Sequence, residues 1–353
     1  MRNLPKKGIL LILSLALIWR VGCSLEPGTF RQLFARLGAN EGFLSKSLHS
    51  QLGMDSDKEL LPPSLIPEHE EEEVSPLSAW VFSPPIQKTD TLPIKAISID
   101  PKSPSGYVTH GNIYLKNDST KEINLKSYLD APLPFTLSGE GPHVLIIHTH
   151  GSESYFPEGK DSYTPDDVER TSDKNYNVVR VGREIKEILT AHGISVVHDT
   201  NLYDSPSYNG SYTRALEGIR RALTNHPGIS VVLDIHRDAM TAKDGVKYKT
   251  SAVVNGKQAA QMMLVLSTGE SGLSHPNWQE NLKLGVKLQG RLSDKYPGLM
   301  RPINLRKDRF NMHATKGSLL IEVGTSANAL SEALAAVRPL AEELAGILKE
   351  VKS

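Results

Sequence analysis

Val144-Leu145-Ile146-Ile147-His148-Thr149-His150-Gly151-Ser152-Glu153 is the stretch on which the fold turns. Four consecutive aliphatic residues followed at once by a polar cluster read as a buried strand that delivers side chains at its C-terminal end. In an open α/β sheet, sites form at that end. Two later runs repeat the arrangement. Ile229-Ser230-Val231-Val232-Leu233-Asp234-Ile235 leads into His236-Arg237-Asp238, and Ser318-Leu319-Leu320-Ile321 leads into Glu322-Val323-Gly324. Between these runs the apolar residues take up a helical period. Helices are predicted at about 175–192, 208–225, 277–295 and 327–350, with strands near 194–197, 246–254 and 261–267. Strand and helix in alternation predict a mostly parallel, three-layer α/β/α domain over residues 143–353.

Working back toward the N-terminus, residues 94–142 alternate short apolar groups with turn signals. Ile97-Ser98-Ile99, Gly111-Asn112-Ile113-Tyr114-Leu115 and Glu122-Ile123-Asn124-Leu125 predict a small β-rich lead-in. Residues 26–93 read as a juxtamembrane stalk and a disordered linker. The linker holds Pro62, Pro63, Pro67, Pro76, Pro84, Pro85 and Pro93 and the acidic run Glu68-His69-Glu70-Glu71-Glu72-Glu73, a composition that buries little apolar surface. Residues 1–25 read as a membrane anchor or export signal: Arg2, Lys6 and Lys7 precede an apolar run from Gly8 to Trp19. A retained anchor is the first expectation. Gly22-Cys23 resembles the end of a lipoprotein signal, but Arg20 stands where an apolar residue belongs. Either arrangement keeps the positive end inside and exports the rest, which places the domain on the outer side of the cell membrane.

The 353 residues carry 40 basic and 40 acidic side chains. That balance argues against a nucleic-acid binder, which is usually basic. Cys23 is the one cysteine, so no disulfide within the chain supports the fold.

Hydrolytic zinc sites use three protein ligands and one open position. The ion activates water and polarises a carbonyl, and a nearby carboxylate moves the proton. His150 and Glu153, at i and i+3 in a tight turn, can converge on one ion, with His236 arriving from another strand end. Asp173, just before a helix in Asp173-Lys174-Asn175-Tyr176-Asn177, competes with Glu153 as third ligand. Glu322 is the candidate general base, because a carboxylate in an apolar strand is costly without a partner or a task. A single His-x-x-Glu occurs often by chance; the coincidence of three strand ends carries the reading. His148 would share the face of His150 in an extended strand and is expected behind the ligands. Arg237 is expected on a substrate carboxylate or on Asp238. His192, His198, His226, His275 and His313 are expected at the surface. No glycine-rich phosphate loop and no nucleophile elbow accompany them.

Taken together, Val144 to Tyr155, Leu233 to Ala239, Asn177 to Gly182, Asn281 to Leu284 and Leu319 to Gly324 resemble the stage II sporulation protein P family, and the likeness runs over about residues 94–350. The resemblance implies a membrane-anchored peptidoglycan hydrolase of endospore-forming bacteria, similar to zinc-dependent N-acetylmuramoyl-L-alanine amidases. It implies a zinc amidase-like fold, cleavage of stem peptides from glycan, an endopeptidase action on cross-links, and a role in septal thinning and engulfment. Stage II sporulation proteins D and M are the partners it implies. The amidase likeness gives His150 and His236 as ligands and Glu322 as base. It also maps a ligand near Asp173, so Glu153 and Asp173 remain alternatives. A zinc carboxypeptidase-like exopeptidase and a non-catalytic septal wall-binding scaffold are the rival readings.

Overall fold

The computed structural model describes residues 91–353 apart from 166 and 168. The expected anchor with Cys23, and the expected stalk and linker up to residue 90, lie outside the described residues. The first elements are β1 (Leu92–Ile97), β2 (Val108–His110), β3 (Ile113–Asn117) and α1 (Leu125–Asp130). Next come β4 (Val144–Ile147), β5 (Ser162–Tyr163), α2 (Val178–Ala191), β6 (Val196–His198), α3 (Ser211–Asn225) and β7 (Val231–Asp238). They are followed by β8 (Lys247–Thr250), β9 (Ala252–Val254), β10 (Lys257–Ala259), β11 (Met262–Ser267) and α4 (Trp278–Lys295). The last are β12 (Ile303–Arg306), β13 (Gly317–Thr325) and α5 (Leu330–Lys349).

All residues of β4, β7 and β13 are buried. Burying each aliphatic side chain contributes about 1.5–3 kcal/mol, which holds these three strands at the centre. Their alternation sorts the core into two faces. Val144 and Ile146 pack with Val181, Ile185 and Leu189 of α2, whereas Leu145 and Ile147 pack with Ala215 and Ile219 of α3. Helices α2, α4 and α5 cover one side of the sheet and α3 covers the other, which gives three layers. The eight strands run in the order β2-β3-β12-β11-β13-β7-β4-β6. Only the β2–β3 and β11–β13 pairings are antiparallel.

Several local expectations change. β2 and β3 are hydrogen-bonded into the edge of the main sheet. Glu122 to Leu125, expected as a strand, instead forms a loop and the start of α1. The Asn124 side chain accepts from Ser127 N, and such a cap captures one of the free N–H groups of a first helical turn. The expected strand at 246–254 is two strands. β8 joins β1 and β5 in a separate three-stranded sheet, and β9 turns back into β10 through Asn255-Gly256. Both turn residues have positive φ, 50° and 75°, the setting that favours Asn-Gly in hairpins.

β7 and β13 run further than expected, so His236 and Glu322 lie within strands rather than beyond them. They are partners in the parallel β7–β13 ladder, which puts the two side chains side by side on one face. The register breaks just after Glu322. Gly324 there has φ +69°, and a Cβ on it would stand 2.8 Å from the Ala260 Cβ, so only glycine fits.

Candidate metal centre

The chain leaves β4 after Ile147 and turns at once. Thr149 secures the turn: its N and Oγ1 donate to the Asp234 carboxylate at 2.8 and 2.6 Å. Glu153 N donates to His150 O at 3.1 Å and closes the next turn. The early stop separates His148 from His150. His148 points into the α2 side, where a Cβ on Gly182 would stand 2.6 Å from its Nε2. His150 points to the α3 side, with Nε2 3.1 Å from Ser211 Oγ. The shared face expected of an extended strand does not form, because the strand ends first.

His150, Glu153 and His236 come together. They are 6%, 5% and 3% exposed, and their donor atoms lie within 4.8 Å of one another. His150 Nδ1 is 3.5 Å from Glu153 Oε1, and His236 Nδ1 is 3.4 Å from Glu153 Oε2. Such a set of two imidazoles and one carboxylate suits a borderline divalent ion. It is the one group of this kind among the described residues. Behind it, His236 Nε2 stands 3.0 Å from Asp234 Oδ1, out of line for a hydrogen bond. Arg237 N donates to Glu153 Oε2 at 3.1 Å.

The electrostatics follow the geometry. Burial pushes the Glu153 carboxyl up, but hydrogen bonds from His150 and His236 and the charge on Arg237 outweigh it and hold it well below the usual range. Burial pulls His236 down, and the Asp234 and Glu153 carboxylates reverse that and hold it well above an ordinary imidazole. Glu322, in contrast, is pushed up to about 8 by burial, against the opposing pull of His236. Its Oε2 has no hydrogen-bond partner.

The remaining expected residues fall elsewhere. Asp173 is exposed, with Oδ1 accepting from Asn175 N at 2.9 Å, and takes no part in the group. Arg237 does not pair with Asp238, which binds Arg301 at 2.7 Å. Its buried guanidinium donates to Ser154 O at 3.1 Å and Glu169 O at 2.8 Å, so it braces the segment that carries Glu153. His148 Nδ1 donates to Ile235 O at 3.0 Å, and its Nε2 accepts from His198 Nε2 at 2.8 Å. His198 is therefore a partner of a buried ring rather than a surface residue. Burial keeps both rings neutral, at about 4 for His148 and about 3 for His198. His275, also expected at the surface, is buried. Gly182→Ala would drive a methyl into the His148–His198 pair. It is expected to cost about 1–3 kcal/mol, read as a lower midpoint of urea unfolding.

Asp234, Thr149, Ser211 and Tyr208 were not anticipated. Asp234 carried a signal, since it stands two residues before His236 in a strand and so on the same face. Ser211 and Tyr208 carried none, because α3 meets the site only through the tertiary fold.

The family described as stage II sporulation protein P (SpoIIP) matches residues 90–345. A curated relative, "Stage II sporulation protein P" of Bacillus subtilis (strain 168), is 29% identical over 210 residues, which cover 56% of this chain and 49% of the relative. The chain thus spans about half the length of that relative. Among solved structures, the N-acetylmuramyl-L-alanine amidase Ami1 from Mycobacterium smegmatis is similar, with a TM-score of 0.35 at 12% identity, over 60% of this chain and 98% of that one. The CwlD amidase from Clostridioides difficile, solved in complex with the GerS lipoprotein, gives a TM-score of 0.33 at 16% identity, over 58% of this chain and 94% of that one.

Proposed function

The chain belongs to the stage II sporulation protein P family, and from that premise we propose that it is a zinc-dependent peptidoglycan hydrolase of sporulation, an N-acetylmuramoyl-L-alanine amidase that cuts stem peptides from glycan. One observation carries the reading: the buried His150–Glu153–His236 group stands beside a buried carboxyl, Glu322, whose Oε2 lacks any partner. His150, Glu153 and His236 would hold the ion. Bound there, zinc supplies Lewis-acid activation of water and of the substrate carbonyl.

The chain's own groups do the rest. Glu322 takes a proton from the attacking water and delivers it to the amine nitrogen as the C–N bond breaks. The lactyl carbonyl becomes a carboxylate and the stem peptide leaves with a free amine. Burial serves this task, because a carboxyl with a raised pKa both accepts and returns a proton near neutral pH. Asp234, held by Thr149, stands 3.0 Å from His236 Nε2 and steadies the ring by its charge, and the Arg237 N–H orients Glu153. Asp234→Asn is therefore expected to weaken zinc binding about 10–100-fold, measured by competition with a chelating dye. Under this proposal the domain works on the outer side of the cell membrane, held by its N-terminal segment.

The test is digestion of purified peptidoglycan by the purified protein, with the soluble products identified by mass spectrometry. Free stem peptides, lost with a chelator and restored by zinc, are the expected result. Single amino acids would replace the amidase by an exopeptidase, and no release from wall or from soluble fragments would replace it by a wall-binding scaffold.

A further inference from the structure

Three aromatic rings border the metal centre on the α3 side. Tyr208 stacks on His150, with 4.3 Å between centroids and 22° between planes. Tyr212, in the first turn of α3, meets His150 edge-on at 5.5 Å. Phe310 lies 5.9 Å from Tyr212. His150, Glu153, His236 and Glu322 are buried, whereas these three rings are half-buried. A bulky substrate approaching the donors from this side meets aromatic surface first.

The backbone that presents Phe310 is strained. Phe310 and Asn311 both adopt left-handed conformations, at φ 51° and 64°, which side chains other than glycine seldom accept. The surroundings enforce the turn. Asn311 Nδ2 donates to Tyr212 O at 2.7 Å, Ser267 Oγ donates to Arg309 O at 3.2 Å, and Asn281 Nδ2 donates to Met312 O at 2.7 Å. The Phe310 ring packs against the core and is only half-buried, so part of it stays open to solvent. Strain that is held in place by several hydrogen bonds concentrates where a side chain must meet a ligand.

The other flank of the centre is chemically different. Arg237 and Lys247 converge on Glu169 there, and Arg170 marks the boundary: it pairs with Asp204, lies 3.9 Å from Glu153 and sets its guanidinium 4.6 Å over the Tyr208 ring. The bond cut under the proposed function joins a sugar to an ionised peptide, so its two sides need unlike walls. We propose that Tyr212 and Phe310 form a sugar-stacking rim that seats a pyranose ring of the glycan beside His150. The apolar C–H face of a pyranose matches an aromatic face, and the charged flank is left for the peptide. This rests on the hydrolase reading, but glycan binding can be measured without turnover.

The test is calorimetric titration of the full-length protein with glycan strands stripped of peptide, with and without zinc. Phe310→Gly removes the ring and relaxes the left-handed backbone, and because the ring also packs against the core, its folding is checked by urea unfolding. Phe310→Leu keeps apolar bulk without the aromatic face and guards against loss of packing. The wild-type protein is expected to bind the strands, and both variants to bind about tenfold more weakly, in line with the worth of one aromatic contact. For turnover of intact substrate, KM should rise by a similar factor with kcat changed far less. Equal binding by wild type and both variants, or no binding by wild type, overturns the rim. If no turnover occurs but binding is lost in the variants, the rim stands and the hydrolase reading falls.

Discussion

Glu322→Gln is expected to lower kcat by about 10²–10⁴-fold while leaving the zinc content of the protein unchanged. Glutamine keeps the shape and the hydrogen-bonding reach of the side chain but cannot take a proton. The position is decisive because Glu322 is paired in register with His236, so its carboxyl rises from the sheet beside a candidate ligand. Burial lifts its pKa to about 8, which makes the protonated form dominant at neutral pH. Only the ionised form serves as base. Activity should therefore climb as pH rises toward that value and level off above it. A cation held by His150 and His236 favours the ionised form and moves the limb to lower pH. In Glu322→Gln this acid limb should vanish from whatever activity remains. Rates from product release, with zinc measured by atomic absorption, check both halves. Loss of zinc in the variant would move Glu322 into the ligand set.

Glu153→Ala should strip the stoichiometric ion, with affinity falling by more than about 100-fold, the upper end of what groups behind the ligands cost. Asp173→Ala should change affinity by less than about threefold, since losing an exposed turn residue removes no donor from the centre. Sequence spacing left these two carboxylates as alternatives. The fold separates them: Glu153 faces both imidazoles, and Arg237 N fixes its Oε2, while Asp173 spends its Oδ1 on the backbone of its own turn. Zinc titration of the two variants is the check, and the opposite ranking would make Asp173 the third ligand.

The central strands and the helices between them were legible because burial period and helix caps are local properties. Val144 to Ile147, Val231 to Ile235 and Leu319 to Ile321 read as buried strand, and the helical period over about 175–192 anticipated α2 within a few residues. The residue types of the candidate site were legible for the same reason, since His150, His236 and Glu322 are polar residues that interrupt or end apolar runs.

Other features had no local signal. The reversal of strand direction between β11 and β13, and the merging of β2 and β3 into the sheet edge, depend on hydrogen bonds between segments far apart in the chain. The side to which His150 turns depends on where β4 stops: the strand ends at Ile147, so the period-two pattern that His148 still follows does not extend to His150. Sequence alone determined which segments form strands and which residue types they carry to the site. Only the tertiary structure decided which carboxylate meets the imidazoles and which aromatic rings border them. A side chain's residue type and period are set by its own stretch of chain, whereas its partners are set by strand register and by where each strand ends.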